Sequence, residues 1–182
     1  MKILLAILYI SVVSPIWPIG ENPLPGDPFI IVNKKNNQLA FVHEEKIEVF
    51  PVATGKTNDL TPEGTFTVTV KAINPYYRKL NMPGGHPRNP LGSRWIGFDA
   101  LDTIGRTYGV HGTNRPESIG AYVSNGCIRM RKEDVEALFD RVPIGTKILI
   151  VSSYKSFEEL AKEAGAIMDE SKKIEWPLVM ER

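Results

Sequence analysis

Cysteine is almost missing from this chain of 182 residues: Cys127 stands alone, so no internal disulfide can form. An excess of basic charge is missing too. Lys and Arg number 22 against 21 Asp and Glu, and beyond the first twenty residues, where Lys2 is the only charged side chain before Glu21, the charges cancel. That balance argues against a nucleic-acid-binding protein, which carries a clear basic surplus. No apolar run near the N-terminus reaches the roughly 20 residues of a membrane-spanning helix. What is present is ordinary for a soluble globular domain, with 42% hydrophobic and 24% charged residues, and this excludes a disordered or fibrous chain. Fifteen Gly and fourteen Pro favour many turns and a β-rich body over a helical bundle.

The first twenty residues read as an address. Met1-Lys2 is a short basic start, Ile3–Val13 is an apolar run of eleven residues, and Ser14-Pro15 and Pro18-Ile19-Gly20 break any helix. This pattern predicts a signal peptide over 1–20, removed near Gly20 or kept as an N-terminal anchor, although no Ala-x-Ala site follows it. The expected location is therefore extracytoplasmic. A buried N-terminal strand or helix is the alternative. A lone thiol outside the cytoplasm is exposed to oxidation, which points to a chemical use, with a buried inert cysteine as the other reading.

The body begins after a Pro- and Gly-rich linker at 21–28. Strands are expected at Phe29–Val32, Gln38–Val42, Ile47–Val52, Thr65–Val70, Trp95–Phe98, Tyr108–His111 and Lys147–Val151, with turns at Asn36-Asn37 and His43–Lys46. Thr65–Val70 alternates, placing Phe66, Val68 and Val70 on one face. Val135, Leu138, Phe139 and Val142 form the stripe of an amphipathic helix over Lys132–Val142. Ser156–Glu159 is a capping box. It opens a second helix, with Phe157, Leu160, Ala161, Ala164, Ile167 and Met168 as its stripe, to be buried on the domain or against a partner. Asn74–Arg94 fits neither period. It is crowded with Pro and Gly around Tyr76-Tyr77, as lids and binding loops are.

Chemistry concentrates in Val110–Met130. Fifteen residues separate His111 from Cys127, enough for a loop to fold back and bring them together. Thiolate attacks a carbonyl carbon, and a histidine in reach can take the thiol proton and later return it to a leaving amine. On this reading the resulting imidazolium pairs with the thiolate. Gly126 permits a sharp turn that exposes the sulfur, and backbone N–H groups there can face an oxyanion. Arg129, two residues on, shares a face with Cys127 and can hold a carboxylate. The plainer readings are a structural His111, an Arg129 ion pair and a Ser124 turn cap. Zinc on Cys127, His111, His86 and His43 has no supporting ligand spacing.

His-Gly-Thr-Asn (111–114) with Ser-Asn-Gly-Cys-Ile-Arg-Met (124–130) resembles the signature of the L,D-transpeptidases, cysteine enzymes of bacterial cell-wall cross-linking. Thr61–Phe66 (TPEGTF), Asn89–Trp95 (NPLGSRW) and Asp134–Leu138 (DVEAL) extend the likeness over Phe29–Val151. The resemblance implies Cys127 as nucleophile, His111 as general base and Gly112 as the residue whose carbonyl orients that base. Ser124, Gly126 and Arg129 match the remaining substrate-binding and oxyanion positions. Asn125 stands where the family often has His. The implied fold is a mostly-β sandwich- or barrel-like catalytic domain over 29–151, with a short helix after the Cys motif. The segment 152–182 would be a helical extension outside the family core.

The implied reaction acylates Cys127 with a peptidoglycan tetrapeptide stem, releases D-Ala and passes the acyl group to another stem's amine. Transfer to water would make the enzyme an L,D-carboxypeptidase. Peptidoglycan stem peptides are the expected partners and carbapenem-type β-lactams the expected inhibitors. No cofactor, metal or nucleic acid is implied, and a membrane only through an uncleaved N-terminus. The rival readings are a non-catalytic module that binds cell-wall peptide and a sortase-like transpeptidase. Cys-x-Arg at 127–129 disfavours the sortase, and His before Cys in the chain disfavours an amidase-type peptidase.

Overall fold

The computed structural model describes residues 22–169. The expected signal peptide lies outside the described residues, as does the end of the C-terminal extension. The described residues form ten strands and two α-helices. They are β1 (Phe29–Asn33), β2 (Gln38–His43), β3 (Lys46–Pro51), β4 (Thr54–Gly55), β5 (Gly64–Ile73), β6 (Arg94–Phe98), β7 (Tyr108–His111), β8 (Tyr122–Ser124), β9 (Ile128–Arg129), α1 (Lys132–Arg141), β10 (Lys147–Val151) and α2 (Phe157–Glu163). Eight strands make one sheet in the order β3-β2-β1-β10-β5-β6-β7-β9, and β4 pairs with β8 in a small parallel ladder. The mostly-β class expected from the sequence is the one observed.

β1 is buried along its whole length because both faces of the sheet are covered there. Ile30 and Val32 point into the main core with Leu39, Phe41, Ile148, Ile150 and the α1 residues Val135 and Leu138. Phe29 and Ile31 point the other way, into a second core with Ala40, Val42, Leu160, Ala161, Ala166 and Ile167. The apolar stripe of the final helix is therefore buried on its own domain. α2 is shorter than its stripe implied. Gly165 takes φ +81° and the Ala166 N–H closes back on Ala161 O at 2.9 Å, which ends the helix after Glu163 in a left-handed glycine turn. Met168 falls beyond that turn and is exposed.

The sheet curls until its edges meet. Past β3, Ala53 exchanges two backbone hydrogen bonds of 2.9 Å with Arg129 of β9. The curl places the ends of β7 and β9 side by side over the main core. β5 runs from Gly64 to Ile73, longer than the TFTVTV pattern, and a register irregularity between Val68 and Val70 lets it bend. Lys71 and Ala72 carry the alternation on, with a charged and a small side chain in place of Thr and Val, and Ile73 breaks it.

Candidate functional site

β7 and β9 run parallel, with Val110 opposite Ile128 and His111 opposite Arg129. This register puts Cys127, at the mouth of β9, beside the β7 residues just before His111. The intervening segment folds back over β4 and the link between β3 and β4: Gly120 N–H donates to Val52 O at 2.8 Å, and Lys56 N–H donates to Ser124 O at 2.9 Å. The fold thus brings His111, Cys127 and Arg129 to one end of the sheet.

The turn that presents Cys127 is held from several sides. Gly126 has φ +121°, and a Cβ there would stand 2.4 Å from Leu60 O, so only glycine fits. The Ser124 hydroxyl accepts from Gly126 N–H at 3.0 Å and donates to Cys127 O at 2.6 Å. Ser124 is buried and spends its hydroxyl on shaping the turn, and the Gly126 N–H is spent with it. Thr61, fully buried, donates to Gly126 O at 3.0 Å and accepts from Gly55 N–H at 2.9 Å. Asn125 is exposed at the tip.

His111 is only 4% exposed. Its Nδ1 lies 2.5 Å from Gly112 O. A carbonyl only accepts, so Nδ1 carries the hydrogen and, in the neutral ring, Nε2 keeps its lone pair. Its ring stacks on Trp95 with centroids 5.6 Å apart. Burial pushes the imidazole down to about 4. The Gly112 and Leu91 carbonyls favour its protonated form, and the Arg129 charge opposes it.

Cys127 is half-buried and its Sγ donates to Thr107 O at 3.4 Å. Burial pushes the thiol up, against the pull of the Gly109 N–H and of the Arg129 and Lys79 charges. Burial penalises both charged forms, which runs against the expected resting ion pair and favours a neutral thiol and a neutral imidazole.

The loop expected over Asn74–Arg94 links β5 and β6 and is internally ordered. Asn74 N–H donates to Ser93 O at 2.8 Å, closing its neck. Buried Asn89 donates to Pro75 O at 2.9 Å and to Pro83 O at 3.2 Å. Its foot packs on the site, since a Cβ on Gly92 would approach Gly112 to 2.8 Å. Its tip, Arg78–Leu80, carries Lys79, one of the charges acting on Cys127.

Among the described residues no cluster of three or more His, Cys, Asp or Glu is placed to hold a metal ion. His43 stacks on Phe41, and His86 accepts from Arg88 N–H at 3.1 Å, so the sequence-level zinc set is scattered. Thr61, Trp95, Thr107 and Gly109 were not singled out from the sequence as site residues. The only signal for Thr61 and Trp95 was their place in TPEGTF and NPLGSRW, and Thr107 and Gly109 had none.

A family model described as the L,D-transpeptidase catalytic domain matches residues 27–150. A Bacillus subtilis (strain 168) protein named as the L,D-transpeptidase YqjB is 63% identical over 157 residues, which is 86% of this chain and 89% of that protein. The NMR structure of the catalytic domain from the Enterococcus faecium L,D-transpeptidase superposes with TM-score 0.53 at 26% identity, over 69% of this chain and 97% of that one. L,D-transpeptidase 3 from Mycobacterium tuberculosis, solved with a faropenem-derived adduct, shares the fold with TM-score 0.53 at 20% identity, over 69% of this chain. This chain spans only 61% of that longer protein. Sequence match, relatives and fold together establish that the chain belongs to the L,D-transpeptidase family and carries its catalytic domain.

Proposed function

We propose that this protein is an exported acyltransferase of peptidoglycan, with Cys127 as nucleophile and His111 as general base. The observation that supports this reading is the β7–β9 register, which sets a thiol, an imidazole with its Nε2 lone pair free, and a guanidinium at one end of the sheet. Because thiol and imidazole rest neutral, proton transfer accompanies attack. As the Cys127 proton passes to His111 Nε2, the Sγ–C bond forms at the carbonyl of the third stem residue. The C–N bond to terminal D-Ala then breaks, and the proton goes to the leaving amine. A side-chain amine of a second stem attacks the thioester, loses a proton to His111 and releases the thiol, giving a 3→3 cross-link. Water in place of that amine gives L,D-carboxypeptidase activity.

Gly112 O sets the tautomer of the base. Arg129 serves the substrate's carboxylate, and Asn125, exposed at the tip of the turn, contacts substrate. Ser124 and Gly126 hold the turn, so the oxyanion is met by N–H groups of the turn other than Gly126's. The loop 74–93 acts as a lid that keeps water from the thioester. The segment 1–20 directs export, and α2 braces the sheet.

Incubation with a carbapenem tests the nucleophile. A β-lactam ring opened by Cys127 leaves a covalent adduct with the mass of the intact drug. Intact-protein mass spectrometry is expected to show it on the wild type and not on Cys127→Ala. A folded wild-type protein without any adduct would favour the non-catalytic binding module instead.

A further inference from the structure

Trp95 stands directly opposite His111 in the antiparallel β6–β7 pair. Its side chain is buried at 7% exposure, and its ring lies nearly parallel to the imidazole, 19° from coplanar. The indole has room because the next pair on that face, Gly97 and Gly109, carries no side chains. A Cβ on Gly109 would come within 2.7 Å of the ring, and one on Gly97 within 2.5 Å of Nε1. The indole N–H donates to Gly105 O at 2.8 Å, which fixes the ring in its own plane. Gly105 and Thr107 belong to one loop, and Thr107 O holds the Cys127 thiol. A single loop therefore anchors the indole under the base and the sulfur beside it.

We propose that Trp95 is a positioning residue: its face fixes the plane of His111 so that Nε2 meets the Cys127 proton. This inference rests on His111 being the base. The Gly112 and Leu91 carbonyls act on the ring nitrogens, at the edge of the imidazole, where hydrogen bonds restrain tilting out of the ring plane only weakly. The indole face removes that freedom. A buried imidazole that tilts by an ångström loses its line to the sulfur, and misplacement of that size costs up to about 100-fold in rate.

The test measures carbapenem acylation of the full chain under single-turnover conditions, separating the rate at saturation from apparent affinity. Trp95→Leu is expected to slow the saturated rate about tenfold or more with affinity unchanged, and Trp95→Phe, which keeps a stacking face, to restore it to within about threefold. In the His111→Ala background, Trp95→Leu should add no further loss, because Trp95 acts only through the ring. Gly109→Ala, which displaces the indole without removing it, should reproduce the loss and serves if Trp95→Leu does not fold.

Wild-type rates in Trp95→Leu or Gly109→Ala would overturn the proposal. So would a Trp95→Phe as slow as Trp95→Leu, or a Trp95→Leu loss that is undiminished without His111. If His111→Ala itself acylates at the wild-type rate, the assignment of the base fails instead, and the two failures are told apart.

Discussion

Burial acts on the Cys127 thiol and the His111 imidazole in opposite directions, raising the thiol and lowering the imidazole. Neither ionises alone at neutral pH, so a small alkylating agent, which recruits no base, should react with Cys127 more slowly than with free cysteine. The histidine also leaves a mark on stability. In the unfolded chain it binds its proton near 6.5, and in the fold only near 4. Below the unfolded value the unfolded state takes up a proton that the fold refuses. Stability present above that value therefore drains away as pH falls toward the folded one. His111→Gln should remove this component. Its thermal midpoint should drop less than the wild type's between about pH 7 and pH 4. Parallel curves would mean that the ring accepts a proton in the fold. Cys127 and His111 were legible because both stand in the motif that resembles the family signature. Their protonation was not, since it depends on what the fold packs around them.

The helices and strands show the same division. α1 follows its apolar stripe closely, since Val135, Leu138 and Phe139 are all buried. The start of α2 was written into its capping box, with Ser156 accepting from Glu159 N–H and the Glu159 carboxylate accepting from Ser156 N–H. Its end was not, because Ala164, Ile167 and Met168 continue the period while Gly165 turns the chain away. Leu160 is the helix's deepest large anchor, at 5% exposure in the second core. Leu160→Ala should cost about 2–5 kcal/mol in chemical unfolding. The carbapenem adduct should persist under folding conditions, because this core lies on the face of β1 away from the main core. A variant that keeps full stability would mean that α2 is not docked.

At the scale of the whole molecule, the curled sheet and the 74–93 loop together frame the proposed site. Replacing Arg78–Asn81 with an Asn-Gly turn keeps the Tyr77–Met82 pairing and the buried Asn89 clasp while removing the tip. If the loop excludes water, muropeptide products should shift from cross-link toward hydrolysis, read by mass spectrometry. An unchanged ratio would remove the lid. Seven of the eight strands of that sheet were readable from local alternation and turns, while β9, only two residues long, carried no such pattern. The closure of the sheet was not readable. Ala53 meeting Arg129, β7 lying parallel to the two-residue β9, and Thr61 reaching Gly126 join residues far apart in the chain. The amino-acid sequence by itself determined the β-rich class, the reactive residue types and the family, because periodicity, turn chemistry and motif are local. The tertiary structure alone decided that burial works against charge on both thiol and imidazole, that Ser124 holds a turn and that Trp95 stacks on His111. Burial and long-range contact exist only once the chain has closed on itself.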